Sequence, residues 1–155
     1  MALFLVQHGK SFDKDVDPER HLSPDGIDET GTIAQMARKN GIVPKKILHS
    51  GKKRARQTAD IFAEILDVSK LEKGEGLGAL DDVGKYAKKI KNKDQVMLVG
   101  HLPFIEKLAS FLITGKQEPK VVQFQNSGIV CLDSEDGHWF VSWTIQPVLS
   151  LNIED

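Results

Sequence analysis

The chain opens on a continuous apolar run, residues 2–6, the pattern of a strand buried on both faces, and turns polar at Gln7-His8-Gly9. After a polar loop, "LSPDGIDETGTIAQMARKNG" repeats apolar positions at helical spacing through Ile27, Ile33, Met36 and Ala37. Ser23 is its expected N-cap, Pro24 its first residue, and Asn40-Gly41 its end, although Gly26 and Gly31 weaken the first half. "KILHS" predicts a second strand, and "RARQTADIFAEIL" a helix with Ala55, Thr58, Ala59, Phe62, Ile65 and Leu66 on one face. "DDVGKYAKKI" predicts a shorter amphipathic helix. "QVMLV" predicts a buried strand, and "PFIEKLASFLITG" a helix running from Pro103 to Gly115.

The last third is richer in β-branched and aromatic residues. "KVVQF", "GIVCLD" and "WFVSWTI" predict strands, with "SEDG" as a turn between the last two. The closing "PVLSLNIED" has no clear period. Strand–helix alternation followed by a hairpin implies an α/β fold. The expected architecture is a three-layer sandwich: a mostly parallel sheet, helices on both faces, and an antiparallel terminal hairpin.

Length and composition narrow this further. At 155 residues the chain fits one domain, residues 1–155. A formal net charge of -1 argues against a broad nucleic-acid footprint, while leaving room for a local basic pocket. The lone Cys131 permits no internal disulfide, sits in an apolar run and reads as a buried small hydrophobe. No leader pattern or apolar run of transmembrane length is visible. The expectation is a cytoplasmic protein without membrane or nucleic-acid partners.

Three predicted strands end in residues that carry chemistry. The first delivers Gln7, His8, Gly9 and Lys10; the second Ser50, Lys52, Lys53, Arg54 and Arg56; the third Gly100 and His101. Ligands of open α/β sheets bind outside the carboxyl ends of the strands. If the three strands are parallel neighbours, His8, Arg54 and His101 converge on one crevice. Arginine offers a planar fork suited to phosphoryl oxygens, one neutral imidazole can attack phosphorus, and a second can donate to the transferring oxygens. A metal site on His8 and His101 competes, but the sequence lacks close histidine–carboxylate spacing and the adjoining cations repel a metal ion. Taken singly, each residue also fits a turn or a helix entry.

In combination, "LFLVQHGKS", "RHLSPDG", "LHSGKKRARQTA" and "VGHLPFIEKLASFL" resemble the histidine phosphatase superfamily, the phosphoglycerate mutase-like proteins. The short length and "RHLSPDG" are similar to its compact SixA-type branch of phosphohistidine phosphatases. That resemblance implies a cofactor-free, metal-free hydrolase. His8 would be the nucleophile, Arg54 the phosphoryl clamp and His101 the transition-state donor. Gln7, Lys10, Arg20, Arg54 and Ser127 would line the phosphate pocket. The implied partner is a phosphorylated histidine-containing protein of a phosphorelay, or a small phosphorylated substrate.

The chain departs from the family at Gln7, where the motif has arginine. Glutamine loses the charge and the fork. Removing one oxyanion donor typically costs about 2.7–4 kcal/mol of transition-state stabilisation. Lys10, Lys52 or Lys53 could restore the charge; otherwise the site is a weakened binding module. A small-molecule phosphomonoesterase would need a general acid, and Glu75, Asp81 and Asp82 lie in the segment where larger relatives carry one, with Asp82 the candidate.

Overall fold

The computed structural model describes residues 1–147. Its single sheet has the strand order β3-β2-β4-β1-β5-β6. The strands are β1 (Ala2–Gln7), β2 (Lys46–His49), β3 (Leu71–Lys73), β4 (Val96–Gly100), β5 (Ile129–Glu135) and β6 (His138–Ile145). The helices are α1 (Pro24–Lys39), α2 (Lys53–Leu66), α3 (Val83–Ala87) and α4 (Phe104–Thr114). Strands β3, β2, β4 and β1 are parallel neighbours; β5 and β6 run antiparallel beside β1. This is the three-layer α/β arrangement expected from the sequence.

Alternation along the strands divides the core in two. Leu3, Leu5, Leu48, Val96 and Leu98 face α3 and α4, where Tyr86, Phe104, Ile105 and Leu108 are buried. Phe4, Val6, Ile47, Met97 and Val99 face α1 and α2, where Ile33, Ala37, Ala59 and Phe62 are buried. A fully buried side chain of this kind contributes about 1.5–3 kcal/mol. Cys131 belongs to this second cluster, and burial pushes its thiol up to about 11, which keeps it inert at neutral pH.

The helix ends follow their sequence signals. The Ser23 hydroxyl accepts from the Gly26 amide at 3.1 Å, and Asn40 closes α1. Gly115 closes α4 in the left-handed region. Asp136 and Gly137, both at positive φ, join β5 to β6 as a two-residue hairpin of the favoured primed type.

Three expectations need correction. "KVVQF" forms no strand: Phe124 is buried in the core, and the Val121 amide bonds to the Ser110 hydroxyl at 3.1 Å rather than to a ladder. The sequence reading omits β3, whose three residues sit at the sheet edge and carry too little pattern to stand out. Ile27, counted on the apolar face of α1, is exposed. From residue 148 on, the closing segment lies outside the described residues. Among the described residues no helix is long and apolar enough to cross a membrane.

The two glycines of α1 have opposite environments. A Cβ on Gly26 would meet the Lys10 carbonyl oxygen at 2.0 Å, because the chain leaving β1 crosses the helix there. A Cβ on Gly31 would meet nothing within 4 Å. Gly31→Ala therefore stabilises the protein by about 0.5–1 kcal/mol through helix propensity. Gly26→Ala destabilises it by about 1–3 kcal/mol through overpacking. Denaturant unfolding of the two variants checks both signs.

Candidate active site

The parallel pairing of β1 with β4 sets Gln7 opposite Gly100, so His8 and His101 emerge side by side at the carboxyl ends of neighbouring strands. The His8 amide donates to the Gly100 carbonyl at 3.0 Å, and Asn126 Nδ2 donates to the His8 carbonyl at 2.9 Å. Gly9 is then forced: a Cβ there would meet Thr30 Oγ1 at 2.7 Å and Ser127 Oγ at 3.0 Å. The two imidazole centroids lie 5.0 Å apart.

Hydrogen-bond partners fix the tautomer of His8. Its Nδ1 lies 2.7 Å from the Gly9 carbonyl oxygen, which only accepts, so Nδ1 carries the proton. Nε2 is left with its lone pair, and Arg54 Nε donates to it at 3.3 Å. Burial first, then the guanidiniums of Arg54 and Arg20, pull His8 down to about 4, against the Gly9 carbonyl, which favours the charged ring. His8 is a neutral imidazole at pH 7 with its nucleophilic nitrogen facing an arginine.

His101 is held differently. Its Nε2 lies 2.6 Å from Ser50 Oγ, the last residue before the turn that leads to α2. The Lys52 amide donates to the same hydroxyl at 3.3 Å; where the Ser50 proton points to His101 Nε2, the ring's own proton is on Nδ1. That Nδ1 is buried without a partner among the described residues. Burial first, then His8, Arg54, Lys52 and Arg20, hold His101 down at about 3. Every charged residue that shifts either histidine is therefore basic, and no carboxylate acts on them. A pocket with two neutral imidazoles and three cations is built for an anion. Bound between the rings, an anion would accept from His101 Nδ1 and favour its protonation.

Of the residues expected in the site, His8, His101, Arg54 and Arg20 come together. Arg54 is in the first turn of α2, braced by Thr58, whose hydroxyl donates to the Arg54 carbonyl at 2.8 Å and accepts from the Gly9 amide at 2.9 Å. Arg20 adopts a positive φ and is steadied by the Phe12 carbonyl at 3.3 Å and Ser11 Oγ at 3.2 Å. Gln7 is nearly buried, and its Oε1 has no partner among the described residues.

Three other residues are placed differently from the expectation. Lys10 Nζ is tied to Glu29 at 3.0 Å and is not among the charges acting on the histidines, whereas Arg20 acts on both rings and Lys52 on His101. Ser127 turns its hydroxyl to Thr30 at 2.7 Å and its amide to the Gln7 carbonyl at 2.9 Å, and so braces Gly9. Asp82 caps α3 by accepting from the Lys85 amide at 3.0 Å, and Asp81 accepts from the Gly78 amide at 2.7 Å. Neither carboxylate acts on the histidines. The bracing roles of Ser50, Thr58 and Asn126 escape sequence reasoning. Ser50 and Thr58 lie within "LHSGKKRARQTA", whereas nothing local marks Asn126. Among the described residues no three His, Cys, Asp or Glu side chains gather as a metal site would require.

Comparison with known proteins bears on the fold. No protein-family model and no curated protein matches the sequence. Solved structures do. The protein histidine phosphatase SixA complexed with tungstate aligns with a TM-score of 0.84 and 25% identity over 97% of this chain and 99% of that one. A protein from Agrobacterium tumefaciens assigned as a phosphohistidine phosphatase SixA aligns with a TM-score of 0.77 and 24% identity, covering 94% and 97% of the two chains. A phosphoserine phosphatase variant from Entamoeba histolytica, bound to phosphoserine, aligns with a TM-score of 0.68 and 18% identity over 94% and 97%. The chain has the histidine phosphatase fold, and these structural neighbours are phosphatases.

Burying two neutral imidazoles couples stability to pH. Unfolded histidine titrates near 6.5, so from about pH 6.5 down to about 4 for His8 and about 3 for His101 the unfolded chain binds more protons than the folded one. The contribution of both rings is complete above pH 6.5 and is lost as pH falls through that window. Denaturant unfolding from pH 7 to 4.5 is expected to show a steeper loss for the wild type than for a His8→Asn/His101→Asn double variant. Equal slopes would contradict the buried neutral pair.

Proposed function

We propose that the protein is a phosphatase that takes the phosphoryl group of a phosphohistidine onto His8 and then releases it to water. The observation that carries this reading is the unprotonated Nε2 of His8, aimed at Arg54 in a pocket whose other charges are all basic. In the first step the Nε2 lone pair forms the bond to phosphorus while the bond to the leaving group breaks. Arg54, Arg20 and Lys52 balance the charge on the equatorial oxygens, and His101 Nδ1–H donates to one of them. In the second step water attacks phospho-His8 and inorganic phosphate leaves. The likeness to a tungstate-bound histidine phosphatase over nearly the whole chain supports the same chemistry. A phosphorelay or phosphotransfer protein in the cytoplasm is the proposed partner, and no cofactor enters either step.

Gln7 favours one alternative, a phosphate-binding module with weakened catalysis. The placement of Arg20 and Lys52 supports the working enzyme, because Arg20 acts on both imidazoles and Lys52 on His101 where the motif arginine is absent. A general phosphomonoesterase is disfavoured by the commitment of Asp81 and Asp82 to backbone amides of their own loop.

Incubation with phosphoramidate is expected to leave acid-labile phosphate on His8, absent in His8→Asn. Arg54→Ala lowers turnover by about 10²–10³, the typical loss for an oxyanion donor. Arg20→Ala lowers it by at least about tenfold, and Gln7→Arg changes it by less than about tenfold. A hundredfold gain in Gln7→Arg would instead identify a degraded site, and a correctly folded protein that neither turns over nor labels would end the enzyme reading.

A further inference from the structure

Arg20 differs from the other cations of the pocket in how it is held. Arg54 stands in the first turn of α2 and Lys52 at its N-cap, whereas Arg20 lies in the chain between β1 and α1. Its charge nevertheless acts on His8, His101 and Arg54 alike. The base of this loop is closed by the Ser11–Leu22 bridge and by the Phe12 amide, which donates to the His21 carbonyl at 3.0 Å. Above that base no apolar side chain is buried. Residues 13–16, 18 and 19 are exposed, Val16 among them, and only Asp17 and Arg20 are half-buried. Asp17 does the work that a hydrophobic anchor does elsewhere. Its Oδ1 accepts from the Glu19 amide at 3.1 Å, and its Oδ2 meets the His21 amide at 2.9 Å and His21 Nδ1 at 2.7 Å. Its carbonyl accepts from the Arg20 amide at 2.9 Å. The carboxylate therefore grips the residue on each side of Arg20.

We propose that Asp17 is the positioning residue for Arg20: by holding the Glu19 and His21 amides, its carboxylate fixes the turn that keeps the Arg20 guanidinium beside the two histidines. The inference rests on the anion pocket and the phosphoryl chemistry proposed for it. Arg20 has a φ of 52°, in the left-handed region that residues of its kind rarely enter. Such a backbone persists where its surroundings over-determine it, and the three N–H groups on the Asp17 carboxylate do so. The side chain is fixed separately, by the Phe12 carbonyl and the Ser11 hydroxyl. The His21 amide first, then its ring, hold the Asp17 carboxyl below the usual carboxylate range, so it is ionised at neutral pH. Asp17 is not among the charges that act on His8 or His101. Its influence on the site therefore passes through Arg20 and not through its own field.

A double-mutant cycle on Asp17 and Arg20 tests this, read both as tungstate affinity and as kcat/KM for phosphoramidate. Asp17→Ala is expected to lower each by at least about tenfold, as Arg20→Ala does. In the Arg20→Ala background the same change costs less than about threefold, because the group it positions is gone. Asp17→Asn keeps one acceptor oxygen and gives an intermediate loss, so the cycle can be run with it where the alanine variant fails to fold. Losses that multiply, leaving the double variant at least about a hundredfold weaker than wild type, mean that Asp17 acts on its own and overturn the inference. Wild-type affinity in either single alanine variant overturns it as well. Protein that binds tungstate but turns over no phosphoramidate ends the phosphatase reading, and the binding cycle alone then decides the role of Asp17. Protein that binds no tungstate overturns the pocket and the inference together.

Discussion

The parallel contact between β1 and β4 governs the rest of the molecule. Because Gln7 pairs with Gly100, the next residue on each strand is a histidine, and the two rings share one crevice. Chain order separates these strands by β2 and β3, so the crevice exists only once β1 and β4 lie side by side in the centre of the sheet. A one-residue slip would turn every strand side chain to the opposite layer. The two hydrophobic clusters, one on each face, therefore hold the register that places the chemistry.

Burial then sets the protonation states. The same packing that positions His8 and His101 removes water from them, and three nearby cations add to the penalty for a charged ring. The proposed nucleophilic imidazole must be unprotonated, and the electrostatic cost of the cations favours that form. Arg54 joins the two effects: its Nε donates to His8 Nε2, and the terminal nitrogens of a guanidinium suit phosphoryl oxygens. Lys10 pairs with Glu29, and the charge acting on the histidines comes from Arg54, Arg20 and Lys52.

Much of this was legible in the sequence, for physical reasons that differ from residue to residue. Continuous apolar runs identify β1 and β4, and the polar residues that end them locate His8 and His101. Ser23, Pro24 and Gly115 mark helix ends because capping is local chemistry. What sequence could not supply is long-range. The Asn126 clamp on the His8 carbonyl spans 118 residues, and the Ser127–Thr30 contact spans 97. Lys10 beside His8 suggests a phosphate ligand by proximity alone, whereas folding brings Glu29 to it from α1. Asp82 illustrates the same limit: a carboxylate near a site in sequence proves to be a helix cap. "KVVQF" has strand composition, but the Ser110 hydroxyl captures its backbone and Phe124 anchors it to the core.

The central claim is that His8 rests as a neutral imidazole with its proton on Nδ1 and, on Nε2, a lone pair that accepts from Arg54. Nitrogen-15 NMR of histidine-labelled protein at pH 6 reads this directly. The account predicts one protonated nitrogen in His8, at Nδ1, and a further change at Nε2 when tungstate is added. A doubly protonated His8 ring, or a proton on Nε2 in the free protein, would contradict it.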